Sequence, residues 1–210
     1  MLLEGRVGPA IAADGTQQPP RLSNFLASVV QNLSGKYLES VIRGNVYSGG
    51  TAVTGVAPGT SIGTTSPFTL FNPKGSGKAL VVLRTSIAYI SGTMSVGAIH
   101  YVANVDPGAA AVTGTAIVPV NSLLSAATGV GKPFTTATLP ATPTVVRPFC
   151  STSPFLATTA VHPFIMATED VDGEFIIPPG CALSLEGTAA GGSTPLVAYG
   201  MTWEEVSYTG

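Results

Sequence analysis

Charged side chains are scarce in this sequence. Asp, Glu, Lys and Arg together make up 10% of the residues, whereas a typical soluble domain carries about 25%. A solitary protein normally keeps its surface hydrated with charge, and large exposed apolar patches usually mark interaction sites. We therefore expect this chain to bury part of its surface against partners, in an oligomer or a lattice. A neutral surface rich in Thr, Ser and Gly is the alternative.

Other absences exclude whole classes of protein. With a net charge of −2, nothing in the composition indicates the basic face that nucleic-acid binding needs. No stretch of roughly 18 apolar residues occurs, so we expect no membrane-spanning helix. The first residues lack the charged and apolar regions of a signal peptide. Two cysteines, Cys150 and Cys181, are too few for a disulfide framework, and we interpret them as buried thiols in a reducing cytosol, with a bond between them left open.

Composition separates an N-terminal segment from the rest of the chain. Residues 1–47 contain four of the nine basic residues. The apolar spacing over Leu22–Leu38 predicts one short helix, although the stretch from Tyr37 to Tyr47 also suits strands. We interpret residues 1–47 as an extended arm and docking segment, and residues 48–210 as the folded domain.

From residue 66 onward, short apolar strands alternate with turns that contain Gly or Pro, a pattern typical of a sandwich or a jelly roll. The clearest strands are predicted at Lys78–Ala88, Cys181–Glu186 and Pro195–Val206, while residues 121–144 indicate a long loop or an edge. The 17 prolines argue against long helices. The predicted fold class is all-β: a β-sandwich or jelly roll with an extended N-terminal arm and one short helix.

Two fragments of enzyme motifs occur, and both are incomplete. Gly59–Gly63 fits the pattern G-x-S-x-G around Ser61, but Thr64–Pro67 follows where a hydrolase needs a helix. The general base would have to be His100 or His162, the only histidines in the chain.

The second fragment, Gly75–Lys78, resembles part of a phosphate-binding loop. Asn72 stands where that loop needs its first Gly, and Ala79 stands where it needs Ser or Thr. We interpret the segment as a tight turn between strands.

No group of residues has the spacing of metal ligands. The acidic segment Glu169–Gly173 is too short for a calcium loop and indicates a solvated hairpin turn. Glu204 and Glu205 point to opposite faces of a strand and cannot share one substrate. We therefore predict that the chain is not an enzyme and has no catalytic residue, no metal site and no cofactor.

Basic and aromatic residues in the N-terminal segment are candidates for contact with another protein, because Arg and Tyr are favoured at interfaces. The alternative is ordinary surface charge, since Glu4, Asp14 and Glu39 lie in the same segment. The candidate contact residues are Arg6, Arg21, Lys36, Tyr37, Arg43 and Tyr47.

Seven phrases of the sequence belong together: Gly5–Gly8, Ala13–Thr16, Gly35–Glu39, Arg43–Tyr47, Leu70–Pro73, Gly75–Lys78 with the strand that follows it to Arg84, and Trp203–Val206. They resemble virion structural proteins of tailed bacteriophages, of the capsid cement or decoration type. Residues 105–160 are left unmatched by this resemblance.

The resemblance implies a homotrimer on the capsid surface of the virion, made in the host cytoplasm. Such a protein binds the major capsid protein or other virion subunits and stabilises the assembled head by bridging them. It implies no nucleic-acid and no membrane partner. The alternative is a head-fibre or tail receptor-binding or adaptor protein that recognises host glycan; its aromatic candidate, Trp203, lies in a patterned strand typical of a core.

Overall fold

A computed structural model describes residues 35–105, 111–125, 127–152, 166–188 and 192–208. The chain divides into two compact units, Met1–Leu38 and Glu39–Gly210. One short helix, α1 (Leu38–Ile42), precedes the strands of the second unit. Within the described part of the chain, no helix is long and apolar enough to cross a membrane. The predicted helix over Leu22–Leu38 lies outside the described residues, apart from its last few positions.

Six antiparallel strands form the first sheet. They follow the order β10–β3–β12–β1–β6, and β9 lies beside β10 along the free edge of β3. The strands are β1 (Val46–Gly50), β3 (Lys78–Ser91), β6 (Val120–Asn121), β9 (Met166–Asp170), β10 (Ile176–Ile177) and β12 (Leu196–Ser207).

The second sheet also has six antiparallel strands. Their order is β5–β7–β2–β11–β4–β8. The strands are β2 (Thr65–Phe71), β4 (Gly97–Asn104), β5 (Thr113–Ala116), β7 (Lys132–Thr138), β8 (Thr144–Thr152) and β11 (Ala182–Thr188).

The pairing is nested from the outside inward. The first strand pairs with the last, β1 with β12, and the second pairs with the next to last, β2 with β11. Further in, β3 pairs with β9 and β10, and β4 pairs with β8. A long hairpin rolled into two packed sheets has this order, which is that of a jelly roll. The predicted all-β sandwich or jelly roll is confirmed.

The core lies between the sheets and follows from strand alternation. In β12, Val197, Tyr199, Met201 and Trp203 alternate with less buried neighbours and face the second sheet. Trp203 is fully buried, and each apolar side chain of this kind contributes roughly 1.5–3 kcal/mol when removed from water. The predicted strands Lys78–Ala88 and Pro195–Val206 are confirmed as β3 and β12.

The segment 121–144 differs from its prediction as a long loop or edge. It contains β7, which lies inside the second sheet between β5 and β2. In β7 only Pro133 and Ala137 are buried, and neither gives a strong apolar signal. Its Thr-rich sequence is nonetheless suited to a strand, because β-branched residues fit a pleated surface.

The last part of the N-terminal segment 1–47 contributes to the first sheet. Val46 and Tyr47 pair with Glu204 and Trp203 in the first sheet. Residues 39–47 therefore belong to the same compact unit as the sandwich, which begins at Glu39.

Candidate interaction surface

The candidate contact residues of the N-terminal segment have different surroundings. Arg6 and Arg21 lie outside the described residues. Lys36 is exposed and Tyr37 is half-buried. The Lys36 Nζ atom lies 5.3 Å from the centroid of the Tyr37 ring, so the two side chains form a cation–π contact. Both belong to the unit Met1–Leu38.

The other two described candidates lie in the unit Glu39–Gly210. Arg43 is exposed and pairs with Glu39 one helical turn earlier, at 2.7 Å. Tyr47 is only 4% exposed, and its ring stacks on Trp203 with centroids 6.2 Å apart. The structure thus places Tyr47 in the core, where it supports β12 and is not accessible to a partner. The adjacent residues Val46 and Tyr47, both of types that favour strands, are the signal that could identify it.

A lateral opening of the sandwich lies between β8, the edge of the second sheet, and β9 with β10 at the edge of the first. We call it the seam. Arg147 of β8 crosses it: its Nη2 donates to Glu169 Oε1 at 2.8 Å and to Glu174 Oε2 at 2.9 Å. The hydrogen bond to Glu169 is the main reason that the pKa of the guanidinium is raised.

Aromatic rings support the same guanidinium from the core side. Its central carbon lies 4.8 Å from the ring centroid of Tyr101 and 5.0 Å from that of Phe175. The Tyr101 hydroxyl donates to Glu169 Oε2 at 2.8 Å. Burial raises the pKa of Tyr101 above its ordinary value, so this phenol stays a neutral donor. Arg147 thereby links the two sheets at the seam, where no backbone hydrogen bonds join the described strands of one sheet to those of the other.

Beside Arg147 the seam widens into an apolar groove of about 350 Å³, which we call the seam groove. Three aliphatic side chains on its rim are exposed: Val105 by 77%, Ile176 by 57% and Val146 by 46%. Glu174 also lines it. Three exposed aliphatic residues around one concavity form the kind of apolar patch that marks interaction sites.

The opposite lateral edge also exposes aliphatic residues. There β6 leads into a turn in which Leu123 N–H and Leu124 N–H donate to Asn121, to its side-chain Oδ1 and its backbone O respectively. Asn121 is buried, while Leu124 is 84% exposed and Val120 is 54% exposed. We call Val120, Leu123 and Leu124 the β6 knob. The buried side chain of Asn121 therefore stabilises a turn from which aliphatic side chains extend into solvent.

The candidate residues of the G-x-S-x-G fragment have different surroundings. Ser61 is exposed in the loop between β1 and β2. The Nε2 atom of His100 lies 3.0 Å from Thr188 Oγ1, so that ring nitrogen is already occupied. His162 lies outside the described residues.

Gly75–Lys78 forms the predicted turn between β2 and β3, with Gly75 and Gly77 at positive φ. Lys78 Nζ lies 3.3 Å from the buried carboxylate of Glu205, so its charge is paired within the protein. Among the described residues, no three His, Cys, Asp or Glu side chains are grouped to hold a metal ion. Cys150 and Cys181 do not form a disulfide.

Arg147 was missed by reasoning from the sequence. It lies in the run Val145–Phe149, where a single cation stands among apolar residues in an otherwise uncharged region. A lone Arg in such a run is a signal of burial with a partner, because an unpaired charge is costly to bury.

No family model, no curated protein and no solved structure matches the chain. The fold and the surface therefore define its class: a jelly-roll β-sandwich whose opposite lateral edges carry exposed aliphatic side chains. Its function has to be inferred from that surface and from the composition.

Proposed function

We propose that the chain is a structural protein of a tailed-bacteriophage virion, a cement or decoration protein that binds the assembled head and bridges capsid subunits. Its natural state would be a homotrimer on the capsid surface. The main support for the proposal is that one charge-poor sandwich has an apolar groove, the seam groove, at one lateral edge and an apolar projection, the β6 knob, at the opposite edge.

Opposite edges of this kind suit a cyclic oligomer. In a head-to-tail interface, the knob of one subunit meets the groove of the next, and the contact generates a ring if the rotation closes. Glu174 at the groove adds a polar rim, as interfaces commonly have. Only 10% of the residues are charged, so few charged side chains would have to be desolvated when such contacts form.

Stabilisation of the head follows from mass action. A protein that binds only the assembled shell stabilises it by a free energy that grows with the logarithm of its concentration divided by its dissociation constant. Three linked subunits that each make a weak contact reach high avidity, because the second and third contacts are effectively intramolecular.

Variants at the seam groove test the assembly. We expect Val146→Glu and Ile176→Glu to reduce oligomer formation in light scattering after size-exclusion chromatography, and to reduce co-sedimentation with purified heads. Val53→Glu is the matched control, since Val53 is 89% exposed in the β1–β2 loop and lines neither surface. A dilute wild-type monomer with no affinity for heads would contradict the proposal.

A truncation at the boundary between the two compact units tests whether the N-terminal segment docks onto heads. Removal of residues 1–38 leaves β1 and Tyr47 in place, so the sandwich should fold with its normal circular dichroism spectrum. We expect this variant to lose most of its binding to heads. Unchanged binding would assign the docking contact to the sandwich instead.

The alternative, recognition of host glycan by a head-fibre or tail protein, has less support. Trp203 is fully buried, and among the described residues Tyr208 is the one aromatic side chain that is exposed, at 43%. Selective binding on a glycan array would nevertheless favour the alternative.

A further inference from the structure

Glu186 is a buried carboxyl group on the face of the second sheet that points away from the first. Its neighbour Leu185 enters the main core, so alternation directs Glu186 to the other face. Glu186 is 1% exposed. Its Oε2 accepts a hydrogen bond from Gly63 N–H at 2.9 Å, whereas its Oε1 is buried and has no hydrogen-bond partner among the described residues.

The loop between β1 and β2 is held against this part of β11. Gly187 N–H donates to Pro58 O at 2.8 Å, and Gly63 N–H donates to Glu186. A Cβ atom on Gly187 would lie 2.6 Å from Pro58 O, so the two backbones are in close contact. Opening of residues 58–63 would therefore expose Glu186 to water.

His100 lies directly opposite Glu186 in the antiparallel pair of β4 and β11, on the same face. Its Nε2 lies 3.0 Å from Thr188 Oγ1, and Thr188 Oγ1 donates to Ala98 O at 3.3 Å. Because a hydroxyl has a single proton, Thr188 must accept from His100, which places the ring proton on Nε2. Nδ1 is then an acceptor, and it too is buried without a partner among the described residues.

The two unpartnered atoms are chemically complementary. A protonated Glu186 offers an O–H donor at Oε1, since Oε2 already accepts from Gly63, and His100 offers an acceptor at Nδ1. Directly opposed side chains have Cβ atoms roughly 4.5–5.5 Å apart. A small side-chain rotation or one bridging water is enough to join them.

We propose that Glu186 and His100 share one proton across β4 and β11, and that this proton keeps residues 58–63 closed over the sheet. The proton sits on Glu186 Oε1 and is hydrogen-bonded to His100 Nδ1. This arrangement satisfies both buried atoms. Loss of the proton leaves a buried carboxylate beside a neutral ring, which favours the open, hydrated loop.

Other titratable groups nearby do not supply this proton. Residues 51–64 contain none. Tyr199 of β12 interacts electrostatically with Glu186, and Cys150 of β8 interacts electrostatically with Tyr199. Burial raises the pKa of both, that of Cys150 to about 11, so both stay neutral near pH 7.

The direction of the pH effect follows from burial. Desolvation raises the pKa of Glu186 from 4.5 to about 7, against the lowering effect of the Gly63 hydrogen bond. The closed loop therefore binds the proton more tightly than the open loop does. Its stabilisation is complete below about pH 4.5, declines as the pH rises toward about 7, and then stays low.

Hydrogen exchange of the Gly63 and Gly187 amides in the full-length protein tests the proposal. After correction for intrinsic exchange, we expect their protection to fall at least tenfold between about pH 5 and pH 7. In Glu186→Gln the side-chain amide of Gln donates to His100 Nδ1 at every pH, so the protection of the Gly63 and Gly187 backbone amides should not change with pH. Asp170→Asn, a substitution at an ion-paired carboxylate that is 55% exposed, is the control and should behave as wild type.

The ring of His100 gives a second test that needs no substitution at Glu186. Long-range nitrogen–proton spectra near neutral pH should show the Nε2–H tautomer with Nδ1 as a hydrogen-bond acceptor, and a His162→Gln variant assigns the signal. Constant wild-type protection, pH-dependent protection in Glu186→Gln, or a Nδ1–H tautomer in the wild type would each overturn the proposal. None of these outcomes depends on the virion function.

Discussion

Arg147 lies over the ring of Tyr101, with 4.8 Å between the guanidinium carbon and the ring centroid, and both side chains bind Glu169. Arg147 and Tyr101 come from the second sheet, whereas Glu169 comes from the first. The cluster therefore closes the seam of the sandwich with charge and aromatic contact. It also forms one border of the apolar region that we assign to subunit contact.

Replacement of Arg147 by Lys should weaken this closure. An ammonium group is a point charge and cannot bind two carboxylates in a fixed fork while it covers two rings. We expect the free energy of unfolding to fall by about 1–2 kcal/mol, allowing for the partial exposure of the cluster. Urea denaturation measures the change.

Arg84→Lys is the matched control for that substitution. Arg84 also pairs with an acidic residue of β9, Asp170, at 2.6 Å, but both side chains are more than half exposed. The free energy of unfolding should change by no more than about 0.5 kcal/mol. If Arg147→Lys and Arg84→Lys lowered the free energy of unfolding equally, the aromatic rings that contact Arg147 would add nothing to stability.

Gly131→Ala should disturb the packing of Trp203. A Cβ atom at this position would lie 2.7 Å from Trp203 Nε1, and Trp203 is fully buried and stacked on Tyr47. We expect a loss of about 1–3 kcal/mol, typical of an overpacked core. Because Trp203 is the only tryptophan, its fluorescence reports both the local change and the unfolding transition.

Gly63→Ala serves as the comparison, since a Cβ atom there meets nothing within 4 Å and its N–H remains available to Glu186. Its stability should stay within about 0.5 kcal/mol of wild type. If Gly131→Ala were equally well tolerated, the close approach to Trp203 would not restrict residue 131.

Cys150 should react slowly with alkylating reagents in the folded protein. Burial raises the pKa of its thiol from 9.0 to about 11, and only the thiolate is nucleophilic. At about pH 8, ionisation alone makes the folded form roughly 100-fold less reactive than the unfolded chain. A Cys181→Ser variant isolates the signal, and mass spectrometry follows the modification with time.

The rate should rise about tenfold for each pH unit until the pH reaches the raised pKa. A folded protein that reacts as fast as the urea-unfolded chain would contradict the partly buried environment of Cys150.

Much of the fold could be predicted because the sequence patterns that identify strands and turns are local. The alternation of apolar residues in β12 and the Gly and Pro turns are properties of neighbouring residues, so they identify strands without knowledge of their partners. The strand Lys78–Ala88 could be predicted for the same reason, and it lies within the observed β3. β7 was missed because its buried positions are Pro133 and Ala137, which are too small to stand out.

The candidate surfaces could not be predicted, because they depend on residues distant in sequence. Arg147 and Glu169 lie on different sheets, and the groove beside them joins residues from β4, β8 and β10. Tyr47 shows the reverse: an aromatic residue assigned to a docking arm lies in the core, because β1 begins before the compositional boundary.

By itself, the sequence determined that the chain is a charge-poor, all-β protein, because composition and strand alternation are carried by each segment alone. Only the tertiary structure decided that the strands pair in nested order, that one arginine closes the seam, and that His100 faces Glu186 across two strands. These relationships depend on register between distant segments, and register is fixed only when the two sheets bury their common face.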